Sequence, residues 1–159
     1  MVGTALAVPS GEGAWEWKPE RLLLEFGAVQ LNNLLTSGLK SATGRQRPDG
    51  SDNRSFPSGH ASQAYTRTTL ACRNVDQIPS LSNRWRVTFK TSFRVIAAGT
   101  AWARVEGGKH YLSDVLFGAA LGNFVAIFIH DAFLPADSKA RLNPTFSRKE
   151  ISFSVAFAF

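Results

Sequence analysis

A chain of 159 residues and 17.3 kDa, 44% apolar and 19% charged, is large enough for one buried core and too apolar for an unfolded chain. Eighteen Lys and Arg against twelve Asp and Glu leave a formal charge of +6, which favours anionic partners without choosing among phosphate esters, acidic lipid and nucleic acid. The single cysteine, Cys72, excludes an intramolecular disulfide and a cysteine-based zinc site, and is expected as a small buried hydrophobe.

Residues 1–18 read as an irregular lead-in without the basic flank and long apolar stretch of an intact signal peptide. Ala5-Leu6-Ala7 is a faint hint of export. Pro19 suits the first turn of a helix, and Leu24, Ala28, Leu31, Leu35 and Leu39 then define one apolar stripe. Gly44 is the expected terminator, and residues 45–57, rich in Pro, Gly, Asp and Asn, form a loop. A second helix is predicted from Ser58 or Gly59 to about Arg73. A third covers about Ser82 to Val105, with Phe89, Phe93, Ile96 and Ala97 on one side, and Gly107-Gly108 breaks it. The fourth, Leu112 to Phe133, is apolar nearly all round, so it is expected to be the central, most buried helix.

The expected fold is therefore all-α, a bundle of about four to five helices over residues 19–135, with active residues at helix ends and in loops. The longest uncharged apolar run, Val115 to Ile129, is fifteen residues where a spanning helix takes about 20, so the chain reads as soluble. Residues 136–159 read as a linker and a strand-like tail. From Ile151 onward large apolar residues alternate with Ser and Ala, and a strand there has no evident partner in the sequence. An arm pairing with another chain, the first strand of a membrane barrel, and a plain tail all stay open.

Three clusters carry chemistry. Lys40 sits near a helix end and Arg47-Pro48 in the following loop, where both cations can turn toward one point. Pro57-Ser58-Gly59-His60 opens a helix, whose free N–H groups and partial positive charge make an anion site, with Ser58 as cap and His60 on the rim. Arg104, His110 and Asp114 form the third. With Asp114 one helical turn beyond His110, its carboxylate is expected to accept the Nδ1–H of the imidazole and leave Nε2 as a nucleophile. Taken singly, each cluster also fits ordinary helix capping or solvated charge. Together they supply a nucleophile, an acid and a cationic cradle for the oxygens of a transferring phosphoryl group.

Lys40-x6-Arg47-Pro48, Pro57-Ser58-Gly59-His60 and Arg104-x5-His110-x3-Asp114 resemble the three signature motifs of the type 2 phosphatidic acid phosphatase superfamily, which includes lipid phosphate phosphatases, bacterial class A acid phosphatases and vanadium haloperoxidases. All ten signature identities stand in order at the family's spacings, across residues 40 to about 123. Ala103 and Leu112 depart from the Ser and Pro that many members carry, without removing a group the chemistry needs. The resemblance implies a helical phosphatase core in which His110 becomes a phosphohistidine, Asp114 orients it and His60 is the acid. Lys40, Arg47, Ser58, Gly59 and Arg104 would hold the phosphate.

The expected activity is metal-independent hydrolysis of phosphate monoesters, including lipid or prenyl phosphates and diphosphates. No cofactor is implied, though vanadate or phosphate can occupy the site as an analogue. The expected partner is a phosphorylated small molecule or lipid phosphate rather than nucleic acid, in a periplasmic or otherwise extracytoplasmic setting, with membrane tethering left open. Two alternatives accompany this reading: vanadium-dependent halide oxidation in the same cradle, and a non-catalytic anion-binding or membrane-associated module. Arg45 and Arg54 flank the loop, where solvated charge is the commoner role and substrate contact the alternative; His130 is expected to cap a helix end beside Asp131, and Trp102 and Tyr111 are expected in the core, with a pocket wall as the alternative.

Overall fold

A computed structural model describes residues 14–133, 140–146 and 151–157, with side chains described over 21–133. Its helical part is four helices in sequence: α1 Ala14–Thr43, α2 Gly59–Asp76, α3 Asn83–Glu106 and α4 Leu112–Phe133. The helix ends follow the punctuation residues. Gly44, at φ +54°, closes α1 through its N–H to the Lys40 carbonyl (3.2 Å), a left-handed position where a Cβ would be strained. Ser58 caps α2, its Oγ accepting from the Ala61 N–H. The start of α1 is the misplaced boundary, five residues before Pro19, so the helix takes in part of the expected lead-in.

α2 packs most extensively on α4 and then on α3, and α1 lies against both α2 and α4. The close approach of α2 and α4 depends on two glycines. A Cβ on Gly118 would sit 2.5 Å from the Ser58 carbonyl oxygen, and one on Gly122 would be nearer still to that of Ser62. Ala28, Leu70, Val125 and Ala126 form one apolar cluster, and Ala61, Ala101 and Val115 another.

The inside of this bundle is more polar than the helical periodicity predicts. Along α1 the buried row is Leu24, Ala28, Asn32 and Thr36, while Leu34 is 70% exposed and Leu35 also faces outward. Asn32 accepts a hydrogen bond from Ser62 (2.5 Å), and Thr66 donates to the Gly122 carbonyl (3.1 Å), so polar side chains join the helices where leucines were expected. On α3, Ala97 is buried but Phe89 and Ile96 of the anticipated apolar side are exposed.

α4 corrects a further expectation. Its inward face is small (Val115, Gly118, Gly122, Val125, Ala126), and Leu116, Phe117, Phe124 and Phe128 point out, Phe124 being 63% exposed. The most contacted helix is α2 rather than α4, and α4 is not buried all round. At 22 residues it is the one helix among those described that is long and apolar enough to cross a membrane, which overturns the argument from the fifteen-residue run. Asn123, which interrupted that run, is accommodated by a hydrogen bond from Thr69 (2.8 Å).

The tail also departs from expectation. β1 Ala140–Phe146 and β2 Ile151–Phe157 pair antiparallel, so the strand does have a partner in this chain, within the segment read as a linker. The register sets Leu142, Pro144 and Phe146 opposite Val155, Phe153 and Ile151, matching the period-two pattern on both sides.

Candidate active site

The three motifs meet at one end of the bundle because main-chain bonds tie them together. The Ser58 N–H donates to the Asp114 carbonyl (2.9 Å), fixing the N-terminus of α2 to the first turn of α4. The turn after α3 folds back so that the His110 N–H reaches the Arg104 carbonyl (3.2 Å). Across it, the Asp49 N–H donates to the Gly108 carbonyl (3.2 Å), and Lys109 Nζ pairs with Asp49 at 2.5 Å. This latches the loop that carries Arg47 to the turn that carries His110.

Each cation of the expected cradle has a defined setting. Lys40 lies beside the first turn of α2, with its Cε 3.8 Å from where a Gly59 Cβ would stand, and its Nζ donates to the Arg54 carbonyl (2.6 Å). Arg47 is steered by Asp52, which accepts from its Nε (2.7 Å), while its Nη1 approaches the Lys109 carbonyl (3.4 Å) next to His110. Arg104 has a buried Nε with no hydrogen-bond partner among the described residues. A buried guanidinium nitrogen without a partner is costly to leave so, and suits a site awaiting an anion.

The two imidazoles sit differently. His60, on the first turn of α2, is exposed, and His110 is 2% exposed. Burial pushes the His110 pKa down to about 4, with Lys40, Arg47 and Arg104 adding to the fall against an opposing hydrogen bond to the Ser55 carbonyl. Burial also lowers the pKa of His60, and Arg104, Arg47 and Lys40 lower it further. The same three cations thus bear on both rings, which brings the residues of all three motifs to one place.

Asp114 does not contact His110 in the expected way. Its Oδ2 stands 3.8 Å from His110 Nδ1, too far for a hydrogen bond, and the Ser55 carbonyl occupies that place at 2.6 Å. Asp114, fully buried, accepts instead from Arg45 Nη1 (2.7 Å), from the Tyr111 N–H (2.9 Å) and from the Ser55 hydroxyl. The bond to Tyr111 is a helix-capping contact, so the capping reading of Asp114 also holds.

Ser55 and Arg45 are the members of the site that sequence reasoning missed. Ser55 lies in a loop and carries no signal of its own, and Arg45 looked like a solvated charge. Arg45 covers the Tyr111 ring at 4.2 Å, and neither Tyr111, 40% exposed, nor Trp102, 64% exposed, is a core residue. Cys72 is half-buried rather than buried. His130 lies away from the site. It pairs with Asp131 (3.0 Å) and contacts Gln77, near the expected end-of-helix role.

The profile of the PAP2 superfamily matches residues 21–136. Among curated proteins, the chain is 33% identical over 101 residues to lipid A 1-phosphatase of Porphyromonas gingivalis, covering 63% of this chain and 21% of that protein. It is 34% identical over 112 residues to phosphatidylglycerophosphatase B of Bacillus subtilis, covering 67% of this chain and 53% of that one. A solved transmembrane PAP2 type phosphatidylglycerolphosphate phosphatase from Bacillus subtilis superposes with a TM-score of 0.63 at 27% identity, over 69% of this chain and 57% of that chain. LpxE of Aquifex aeolicus shares the fold, with a TM-score of 0.57 at 21% identity over 81% of each chain. The chain spans about a fifth to a half of the length of the curated relatives it matches.

Proposed function

The chain belongs to the PAP2 superfamily, and on that footing we propose that it hydrolyses phosphate monoesters carried by a lipid, through a phosphohistidine on His110 and without a metal. One observation carries the reading: a buried histidine, neutral above about pH 4, shares the field of three cations with a second, exposed histidine. With Nδ1–H donated to a carbonyl, Nε2 keeps its electron pair. That pair attacks phosphorus, the bond from phosphorus to the ester oxygen breaks, and His60 gives its proton to the departing oxygen. His60 then takes a proton from the water that frees the enzyme. Lys40, Arg47, Arg104 and the N–H groups at the start of α2 meet the charge that grows on the equatorial oxygens. They supply the positive charge that a metal ion provides in other phosphatases.

The outer surface supports a lipid-borne substrate. Large apolar side chains face outward on α1, α3 and α4 while Asn32, Ser62, Thr66 and Asp114 are buried, the reverse of a helix bundle in water. At about 1.5 Å per residue, the 22 residues of α4 reach across a hydrocarbon layer of about 30 Å. We read α4 as crossing a membrane, with His110 just before it and His60 on the opening turn of α2 at its rim. The relatives whose names give a substrate, lipid A 1-phosphatase and phosphatidylglycerophosphatase B, point the same way.

The test is phosphate release by the detergent-solubilised chain from phosphatidate, phosphatidylglycerophosphate, a prenyl diphosphate and a soluble aryl phosphate. Lipid substrates should be favoured, vanadate should compete, and His110→Ala should lower kcat on the order of 10⁴-fold or more with the helical spectrum unchanged. Turnover that survives in His110→Ala rejects the mechanism. Equal rates on the aryl and lipid esters reject the lipid assignment alone.

A further inference from the structure

We propose that the cleft between α2, α3 and α4, walled off from His60 and His110, holds an anionic phospholipid as a bound ligand, its phosphate on Arg94. The inference rests on the reading of α4 as crossing a membrane and is independent of the reaction at His110.

The cleft opens because α3 and α4 each pack on α2 but touch each other little. Its volume is about 630 Å³, within the range of about 300–1,000 Å³ common to small-ligand sites. The floor is α2 from Tyr65 to Asp76, between Arg94 and Ala98 of α3 and Ile127 of α4. Ala61, Ala101 and Val115, one residue from each of the three helices, pack against Tyr65 and shut the cleft off from the histidines.

The threonines and cations of the lining are matched except one. Thr68 donates to the Ala64 carbonyl (2.8 Å) and Thr69 to Asn123 (2.8 Å). Lys90 pairs with Asp76 (2.7 Å) and Arg73 with Asp131 (3.3 Å). Arg94 is exposed and has neither a hydrogen bond nor an ion pair among the described residues. It shares the cleft with Cys72, on whose thiol the charges of Arg94 and Lys90 both act.

Depth makes that lone cation informative. At about 1.5 Å per residue, Arg94 lies about 18 Å along α3 from its site end at Glu106, within a hydrocarbon layer of about 30 Å. A charge at such depth calls for an opposite charge, and the long arginine side chain reaches toward the head groups of the leaflet away from the active site. A phosphodiester carries one negative charge and accepts paired hydrogen bonds from a guanidinium, so it answers the single unmatched cation. From Arg94 toward the site end the wall turns apolar, with Ala97, Ala98 and the Tyr65 ring, and suits an acyl chain. No histidine lines the cleft, so an ester bound there is held and not cleaved.

The test is lipid retention by the delipidated chain in neutral detergent, read by native mass spectrometry with added phosphatidylglycerol or phosphatidylcholine. Phosphatidylglycerol should bind more tightly. Arg94→Gln should weaken it about 10- to 100-fold and leave phosphatidylcholine within about twofold, as for loss of a charge-assisted hydrogen bond. The helical spectrum and kcat should not change, since Arg94 is exposed and without a partner among the described residues. A preference for phosphatidylglycerol that survives Arg94→Gln overturns the proposal. A preference lost in Arg104→Ala instead assigns the lipid to the catalytic end and overturns it equally.

Cys72, the single cysteine, supplies a second measurement from inside the cleft. Its alkylation by a small maleimide should slow with phosphatidylglycerol and not with phosphatidylcholine or inorganic phosphate. Equal protection by inorganic phosphate means that the cleft takes a free anion, which overturns the lipid assignment. Both measurements are made without turnover, so an inactive chain rejects the phosphatase reading alone. Flotation with liposomes tests the membrane reading by itself, and a chain that floats yet shows no preference for phosphatidylglycerol fails here alone.

Discussion

The two ends of the bundle use their cations differently. At the far end the cations meet carboxylates and amides: Arg73 pairs with Asp131 (3.3 Å), Lys90 and Arg86 share Asp76 (2.7 and 3.8 Å), and Arg21 meets Asn74 and Gln77, although its buried Nε has no hydrogen-bond partner among the described residues. At the site end Lys40 is held only by a carbonyl, Arg104 has a buried Nε without a partner, and neither forms an ion pair among the described residues. Matched charge on a half-exposed surface adds little stability. Unmatched charge around a pocket is a binding capacity held in reserve. The convergence of Lys40, Arg47 and Arg104 on two imidazoles, more than the number of charges, separates the functional end from the structural one.

Substitution can break this contrast. Arg104→Ala should lower kcat about 10²- to 10³-fold, the range for removing one donor to a charged transition state, while leaving Tm nearly unchanged. A small kinetic effect would mean that the unmatched cation is not used in the transition state. Shifting pH probes the same end. Since His110 must be neutral to attack and His60 protonated to donate, kcat/KM should rise through about pH 4 and fall again as His60 loses its proton, earlier than an ordinary imidazole because burial and the cations lower its pKa, giving an acidic optimum. An acid limb near 6.5 instead would show that burial does not hold His110 neutral.

The same depressed pKa has a stability consequence. Unfolded His110 takes up a proton near 6.5, and the folded residue resists until about 4. Stability should therefore be lost as pH falls through that window and level off below it, as followed by thermal melts. Gly118→Ala should cost about 1–3 kcal/mol, because its Cβ meets the Ser58 carbonyl, and should raise KM as the anion-binding turn shifts. The far end should give the smallest response. Asp76→Asn removes the shared partner of Lys90 and Arg86, yet should cost about 1 kcal/mol or less and leave kcat alone.

Much of this architecture was legible because helices declare their ends. Gly44, Ser58 and Gly107-Gly108 mark boundaries through backbone geometry, which depends on few neighbours, and the motif residues are tied to those boundaries. Burial was less legible. The stripe Leu31, Leu35 and Leu39 was read on the rule that apolar residues turn inward, whereas the bundle buries Asn32 and Thr36 beside it. That rule presumes water outside, and it also missed the outward-facing Phe89 and Ile96 on α3 and Phe124 on α4. β1 stayed hidden because Pro144 and Asn143 interrupt a stretch that does alternate. The Ser55 carbonyl could not have been found from sequence, since every residue has a carbonyl and only the folded loop selects one.

Apart from Gly59 in the anion-binding turn, the glycines within the described helices divide into two groups with opposite engineering value. At Gly27, Gly38 and Gly99 nothing lies within 4 Å of an added methyl, so alanine there should raise helix propensity by up to about 1 kcal/mol at each position. At Gly118 and Gly122 the same exchange drives a methyl into another helix's backbone. A thermostabilisation library built on replacing glycine throughout would mix both groups, and its gains would be cancelled by two positions that bear no reactive group at all.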